Sequence, residues 1–246
     1  GRESFPGTLG LQFNKVYGLR YGENPHQKGA FYVERNAPAG SLAAARPLGA
    51  GGKELSFNNL VDVEAALDAV REYSQPAAVV VKHTNPCGVA QGENLAEVYR
   101  IAREADALSA FGGIVALNRQ VDLATAEILK ETFLECIVAP GFDDAALELL
   151  RAKKNLRLLA TGEWLPATHA ELTFKRIGGG LVAQDRDATA AEELAAAKVV
   201  TKRAPSEEER AALEFAWKVC KHVKSNAIIF AKDNRTVGVG AGQMSR

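Results

Sequence analysis

The sequence predicts an α/β fold in which a mainly parallel sheet lies between layers of helices. Three observations carry this expectation. From Asn58 onward, stretches of helical period alternate with short apolar runs, the pattern of a layered α/β chain. The runs, such as "AAVVV" at 77–81 and "GIVAL" at 113–117, lack the polar alternation of a strand with one wet face, so they read as covered on both sides. Gly, Pro and Asn punctuate the changes between the two periods.

The first helix is the clearest. "NNLVDVEAALDAVREYS" spaces Leu60, Val63, Ala66, Leu67 and Val70 along one face, with asparagines available as N-caps. Pro76 ends it and "AAVVVK" follows as a strand. "NLAEVYRIAREAD" then reads as a helix, "GIVAL" as a strand, "LATAEILKETFL" as a helix, "CIVA" as a strand, "DAALELLRA" as a helix and "LRLLA" as a strand. The polar stretch from Thr161 to Thr168, followed by "GGG" at 178–180, interrupts this rhythm, and a boundary is placed between residues 165 and 166. Beyond it, Ser206 and Glu209 have the spacing of a capping box ahead of the amphipathic "RAALEFAWKVCKHV". "NAIIFA" and "TVGVG" read as a strand pair, and no closing helix follows "VGVGAGQMSR", so the second unit reads as unfinished.

Composition narrows the function classes. Lys+Arg and Asp+Glu balance at 30 each, so charge suggests neither a nucleic-acid nor a membrane partner. The longest apolar runs fall far short of the roughly 20 residues of a membrane helix, and a cytoplasmic location is expected. Cys87, Cys136 and Cys220 are too scattered for a disulfide framework or a metal knuckle.

Candidate chemistry clusters in "VKHTNPCGVA" at 81–90. Pro86-Cys87 begins the P-C-x-x-C element of zinc-dependent nucleobase deaminases, but position 90 is Ala, and His83 is followed by Thr84 and Asn85 where an H-x-E is needed. No zinc ligand set can be assembled, and Cys87 reads as a small packing residue. Lys82 and His83 are adjacent, so they can share a site only where a strand ends and the backbone turns, and Asn85-Pro86 is read as that turn. A carboxyl strand end is where open α/β sheets place ligands, although a snorkelling lysine beside a satisfied histidine is the plainer alternative. "GVGVGAG" alternates its glycines without opening a helix, and "SAFGG" precedes a strand, so neither is a phosphate loop. "LRYGENPHQ" at 19–27 suits anion binding or an ordinary polar loop.

Taken together, "LRYGENPHQ", "VKHTNPCGVA", "SAFGGIVALNR", "IVAPGF", "KKNLRLL", "VTKR", "AWKVCKHVKSNAI" and "VGVGAGQMSR" occur in the order seen in one family. The chain resembles the formyltransferase half of the bifunctional 5-aminoimidazole-4-carboxamide ribonucleotide (AICAR) formyltransferase/IMP cyclohydrolase family across almost its whole length. The resemblance implies formyl transfer from 10-formyltetrahydrofolate to the exocyclic amine of AICAR, in purine (IMP) biosynthesis. It implies two tandem cytidine-deaminase-like α/β/α layered units without zinc. These are residues 1–165, with an N-terminal substrate-binding segment, and 166–246, incomplete at the C-terminus.

By the same resemblance His83 is the proton-transfer residue at the amine, and Lys82 the acid near the formyl oxygen and the folate nitrogen. Arg20 and Tyr21 match phosphate-binding residues, and Phe111 and Gly112 flank the substrate. Glu135 holds an acidic ribose-contacting position where some relatives have aspartate. Asn226 orients the substrate, and Arg246 contacts the carboxamide. A homodimer with active sites between subunits is implied. A potassium ion accompanies some relatives, but no oxygen-ligand set for it is readable. The cyclohydrolase domain and a C-terminal segment with folate contacts are not in this sequence, so impaired turnover is expected, with an AICAR-binding module without catalysis as the alternative.

Overall fold

A computed structural model of the chain describes residues 5–51, 54–188 and 191–244. In chain order the elements are β1 (Phe13–Leu19), β2 (Gly29–Glu34), a single 3-10 turn (Leu42–Ala44), β3 (Arg46–Pro47), α1 (Phe57–Val70), β4 (Ala77–Lys82) and β5 (Asn85–Gln91). Next come α2 (Leu95–Glu104), α3 (Ala107–Ala110), β6 (Gly113–Leu117), α4 (Leu123–Leu129), β7 (Leu134–Ala139), α5 (Asp144–Arg151) and β8 (Arg157–Ala160). The chain continues through β9 (Leu172–Ile177), β10 (Gly180–Asp185), α6 (Ala191–Ala195), α7 (Glu207–Lys221), β11 (Ile228–Lys232) and β12 (Arg235–Gly240).

The result is a mixed α/β fold built on one eight-stranded sheet of order β11-β12-β5-β4-β6-β7-β8-β3. The expectation of a mainly parallel sheet is corrected. Only β6–β7 and β7–β8 run parallel, and the other junctions are antiparallel. Apolar runs report burial on both faces, and an antiparallel central strand meets that condition as well as a parallel one does. In β4 the two-residue period sends Ala78 and Val80 into one core cluster and Ala77, Val79 and Val81 into the other. The first cluster receives Val98, Tyr99 and Ala102 of α2, Ala126 and Leu129 of α4, and Ala146 and Leu150 of α5. The second receives Val63, Leu67 and Val70 of α1 with Phe215 and Val219 of α7. Helices therefore cover both faces, and each fully buried Val or Leu contributes roughly 1.5–3 kcal/mol.

Local chemistry explains several element ends. The cap of α1 is Ser56 rather than either expected asparagine, and Asn59 completes a capping box by accepting from the Ser56 N–H at 3.0 Å. Ser206 and Glu209 form the expected box on α7. The "GGG" run makes the β9–β10 turn and supplies the first residue of β10, and Gly179 takes a φ of +72° that a residue with a Cβ resists. Beyond the expected strands, β1 and β2 form a hairpin before the first helix, and β5 pairs along the whole of β4. The strand pair β11–β12 returns to the same sheet, where Val89 N donates to Thr236 Oγ1 at 3.0 Å. No helix among the described residues is long and apolar enough to cross a membrane.

A half-buried ion cluster ties α7 to the end of α1. The Glu72 carboxylate accepts from Lys221 Nζ at 2.8 Å, and His222 Nε2 lies 3.0 Å from the same oxygen. Burial alone pushes the carboxyl up, but hydrogen bonds to His222 and Lys221 and their charges outweigh it, so its pKa falls below the ordinary glutamate value. A depressed carboxyl stabilises the fold at pH values above its unfolded pKa, and that contribution disappears as pH falls through the folded pKa. Glu72→Gln is therefore expected to cost about 2–3 kcal/mol at pH 7, below the roughly 3–5 of a fully buried pair, because His222 keeps some solvent contact. The gap to wild type should narrow in acid. Urea denaturation at pH 7 and at successively lower pH, to below the ordinary carboxylate range, checks this, and a gap that stays constant throughout would exclude a charge-based clamp.

Candidate active site

The site is built on the β4–β5 hairpin. Lys82 pairs with Asn85, leaving His83 and Thr84 as the two residues of the turn. Their φ values are +53° and +63°. Two central residues with positive φ define the primed turn whose twist suits a two-residue hairpin, normally built from Asn and Gly. The expected turn at Asn85-Pro86 is thus corrected to His83-Thr84. Asn85 and Pro86 open β5, where Pro86 sits at a register shift and interrupts no regular ladder.

Hydrogen bonds hold this unusual turn in place. Thr84 N donates to Asp62 Oδ1 of α1 at 2.7 Å, and Asn85 Nδ2 donates to the His83 carbonyl at 2.9 Å. Asn85 Oδ1 in turn accepts from Lys224 N at 3.0 Å, and the Lys224 carbonyl accepts from Gly242 N at 3.0 Å. Asn226 Nδ2 donates to the Gln243 carbonyl at 3.3 Å. One network therefore joins the Lys82–His83 turn to the segments carrying Asn226 and Gln243.

Lys82 emerges from the last position of β4. Its Nζ donates to the Phe111 carbonyl at 2.7 Å. Gly112, at φ +72°, follows, and a Cβ built there would stand 4.0 Å from Lys82 Nζ and 3.6 Å from the Phe133 ring. The exposed Phe111 ring packs on Phe133 with centroids 5.4 Å apart. Nearby Asp106 caps α3, and hydrogen bonds from the Ser109 hydroxyl and N–H hold its carboxyl below the usual range. Lys82, Phe111 and Gly112 thus meet at one sheet end, with His83 exposed at the tip of the adjoining turn.

The other candidate residues stand elsewhere. Arg20 lies over the Tyr21 ring at 5.1 Å, and their loop is fastened to the start of α1 by Phe57 N to Tyr21 O at 3.2 Å and Asn58 Nδ2 to Glu23 O at 3.0 Å. Among the described residues, no hydrogen bond, ion pair or ring contact joins this pair to Lys82 or His83. Glu135 is engaged by Arg157, which also donates to the Glu54 carbonyl at 3.0 Å. Arg246 lies outside the described residues. Cys87 is partly buried, its thiol pushed up to about 12 chiefly by burial, with Sγ 3.4 Å from the Val80 carbonyl. It packs as a thiol and has little thiolate at neutral pH. No group of three or more His, Cys, Asp or Glu side chains among the described residues is placed to hold a metal ion.

A cleft of about 880 Å³ runs beside this centre, not through it. It is lined by Phe31, Leu60 and Phe174, by the acidic Glu64, Asp68 and Glu171 and by the basic Lys221, His222 and Lys224, and it reaches the turn only at Thr84. The Glu64 carboxyl there is pushed up to about 7, first by burial and then by Asp68, while Arg71 and Arg186 oppose the shift. Sequence reasoning missed Asp62 and Asn85. Asp62 reads as an ordinary polar helix position, and Asn85 was assigned to the turn it supports.

The family model of the AICARFT/IMPCHase bienzyme matches residues 1–246. The chain is 71% identical over 245 residues to the bifunctional purine biosynthesis protein PurH of Sorangium cellulosum, covering 100% of this chain and 47% of that protein. It is 56% identical over 246 residues to PurH of Magnetococcus marinus, covering 99% and 46%, and 52% identical over 250 residues to PurH of Myxococcus xanthus, covering 99% and 48%. The chain spans about half the length of these relatives. Matched by the family model from end to end and more than half identical to all three, the chain belongs to the AICARFT/IMPCHase bienzyme family.

Proposed function

We propose that this chain carries the formyl-transfer activity of the family, moving a formyl group from 10-formyltetrahydrofolate to the exocyclic amine of AICAR within a cytidine-deaminase-like framework. The observation that carries the reading is the hairpin end. A lysine and a histidine stand side by side there at a two-residue turn, with the ammonium held at the Phe111 carbonyl beside Gly112, whose φ is +72°. The AICAR amine is delocalised into its ring and carboxamide, so it is a weak nucleophile and needs its proton removed as it attacks. A new C–N bond forms to the formyl carbon while the bond from that carbon to the folate nitrogen breaks. In this reading His83 takes the amine proton. Lys82 stabilises negative charge on the formyl oxygen and supplies a proton to the departing nitrogen.

Arg20 and Tyr21 serve the phosphate, Glu135 the ribose, and Asn226 and Arg246 the base. We take the site to lie between subunits of a homodimer. Two features support this: the β1–β2 hairpin exposes Phe13, Val16, Tyr17 and Tyr32, and the Arg20–Tyr21 pair makes no bond to Lys82 or His83 within one chain.

The test is a single-turnover assay with both substrates, on this chain completed to the full length of its relatives. Formyl-AICAR should appear at a rate that depends on both ligands. AICAR binding with no formyl product would identify a nucleotide-binding module and overturn the reading.

A further inference from the structure

We infer that Asp62 is a positioning residue for the transfer: its carboxylate holds the His83–Thr84 turn in a left-handed conformation that these two side chains do not favour by themselves. The inference rests on the formyl-transfer reading above. Histidine reaches positive φ uncommonly, and for β-branched threonine it is a true outlier, since its Cβ substituents crowd the backbone there. Such a conformation persists only where surrounding structure fixes it. The turn presents the Thr84 and His83 N–H groups toward α1, where an anion can accept from them. Asp62 supplies that anion from the rigid helix α1, accepting from Thr84 N at 2.7 Å.

Three further observations favour a built clamp over an incidental bond. Burial pushes the Asp62 carboxyl up, and the hydrogen bond from Thr84, the His83 charge and the His83 N–H pull against it, so the carboxylate lies within the electrostatic reach of the histidine itself. On the far side of the turn, Asn85 accepts from Lys224 N and donates to the His83 carbonyl, so the turn is held from both strand ends. Thr84 closes its own hydroxyl onto the His83 carbonyl at 2.7 Å, while its N–H donates to Asp62. Loss of Asp62 therefore strands a half-buried donor and frees the turn to relax, carrying the imidazole away from its place.

The experiment compares Asp62→Ala and Asp62→Asn with wild type in the chain completed to the length of its relatives. Two quantities are followed: formyl-transfer kinetics and hydrogen exchange of the Thr84 amide. Asp62→Ala should lower kcat by roughly tenfold or more, since misplacement of about 1 Å at a reacting group can cost a hundredfold, while KM for AICAR changes less than threefold. Its Thr84 amide should exchange faster. Asp62→Asn keeps an acceptor oxygen, so it should restore most of the turnover and of the amide protection. A loss caused only by general destabilisation would raise exchange across the core and would not be rescued selectively at Thr84. Unchanged Thr84 exchange in Asp62→Ala, or turnover within twofold of wild type, overturns the inference. Absence of formyl transfer in the wild type overturns the functional reading instead, and the exchange comparison still judges whether Asp62 holds the turn.

Discussion

Alanine at His83 is expected to lower formyl transfer at least about a hundredfold while leaving AICAR affinity within about threefold of wild type, because general acid-base assistance is worth roughly 10² to 10⁴ in rate. On the barrier this corresponds to roughly 3–5 kcal/mol. The side chain is exposed at the tip of the hairpin and, among the described residues, its ring makes no hydrogen bond, so its removal opens no cavity and strands no hydrogen-bond partner. The loss should therefore fall on kcat, not on stability. One structural confounder exists, since alanine at φ +53° remains strained and the turn could shift. His83→Asn resolves it. Asparagine tolerates the left-handed region better than alanine but has no group that exchanges a proton near neutral pH, so it should lose as much rate as alanine. Single-turnover rates and calorimetric AICAR binding on both variants decide the matter. Turnover near wild type in either would remove His83 from the chemistry.

The contrast between Asp62 and His83 shows what a sequence can disclose about such a site. Lys82 and His83 are singled out through the resemblance of "VKHTNPCGVA" to the family motif, because a lysine and a histidine ending an apolar run also suit a strand that simply reaches solvent. The helices α1, α2 and α5 were legible from their periodicity, as was the capping box of α7. The strand β5 was not. Its sequence "NPCGVAQ" contains Asn, Pro and Gly, all weak strand formers, and long-range pairing with β4 and β12 overrides that preference. The turn was misplaced for the same reason: Asn-Pro is the stronger local signal, yet Asp62, Asn85 and Lys224 stabilise a His-Thr turn that local preference disfavours. The β1–β2 hairpin escaped notice because most of its residues are exposed, so no buried face imposed a period. What remained hidden in the site is of one kind: bonds between residues far apart in the chain.

Gly88→Ala is expected to be the most damaging glycine-to-alanine change among the described residues, and it tests how the hairpin is held from behind. Gly88 lies in β5 directly beneath α2. A Cβ built there falls inside the van der Waals shell of the Ala102 carbonyl oxygen and 2.9 Å from its carbonyl carbon, with the Ala105 methyl at 3.4 Å. The obstruction is helix backbone, so no rotamer change relieves it. Either α2 moves off the sheet, uncovering Tyr99, Val98 and Ala102 from the core, or β5 shifts along with the turn it follows. Overpacking typically costs roughly 1–3 kcal/mol, and an unyielding backbone neighbour places this substitution at or above the upper end. About 3 kcal/mol lowers the Tm of a domain this size by roughly 6–12 °C. Gly18→Ala is the matched control: it too lies in a strand, but nothing stands within 4 Å of its added Cβ, so its effect should stay within about 0.5 kcal/mol. If Gly88→Ala still folds, transfer should fall further than AICAR binding, because β5 begins at Asn85, which braces the His83 carbonyl. Equal stability of the two alanine variants in urea would show that α2 and β5 do not approach as closely as the structure has them, and the rear support of the His83–Thr84 turn would have to be sought elsewhere.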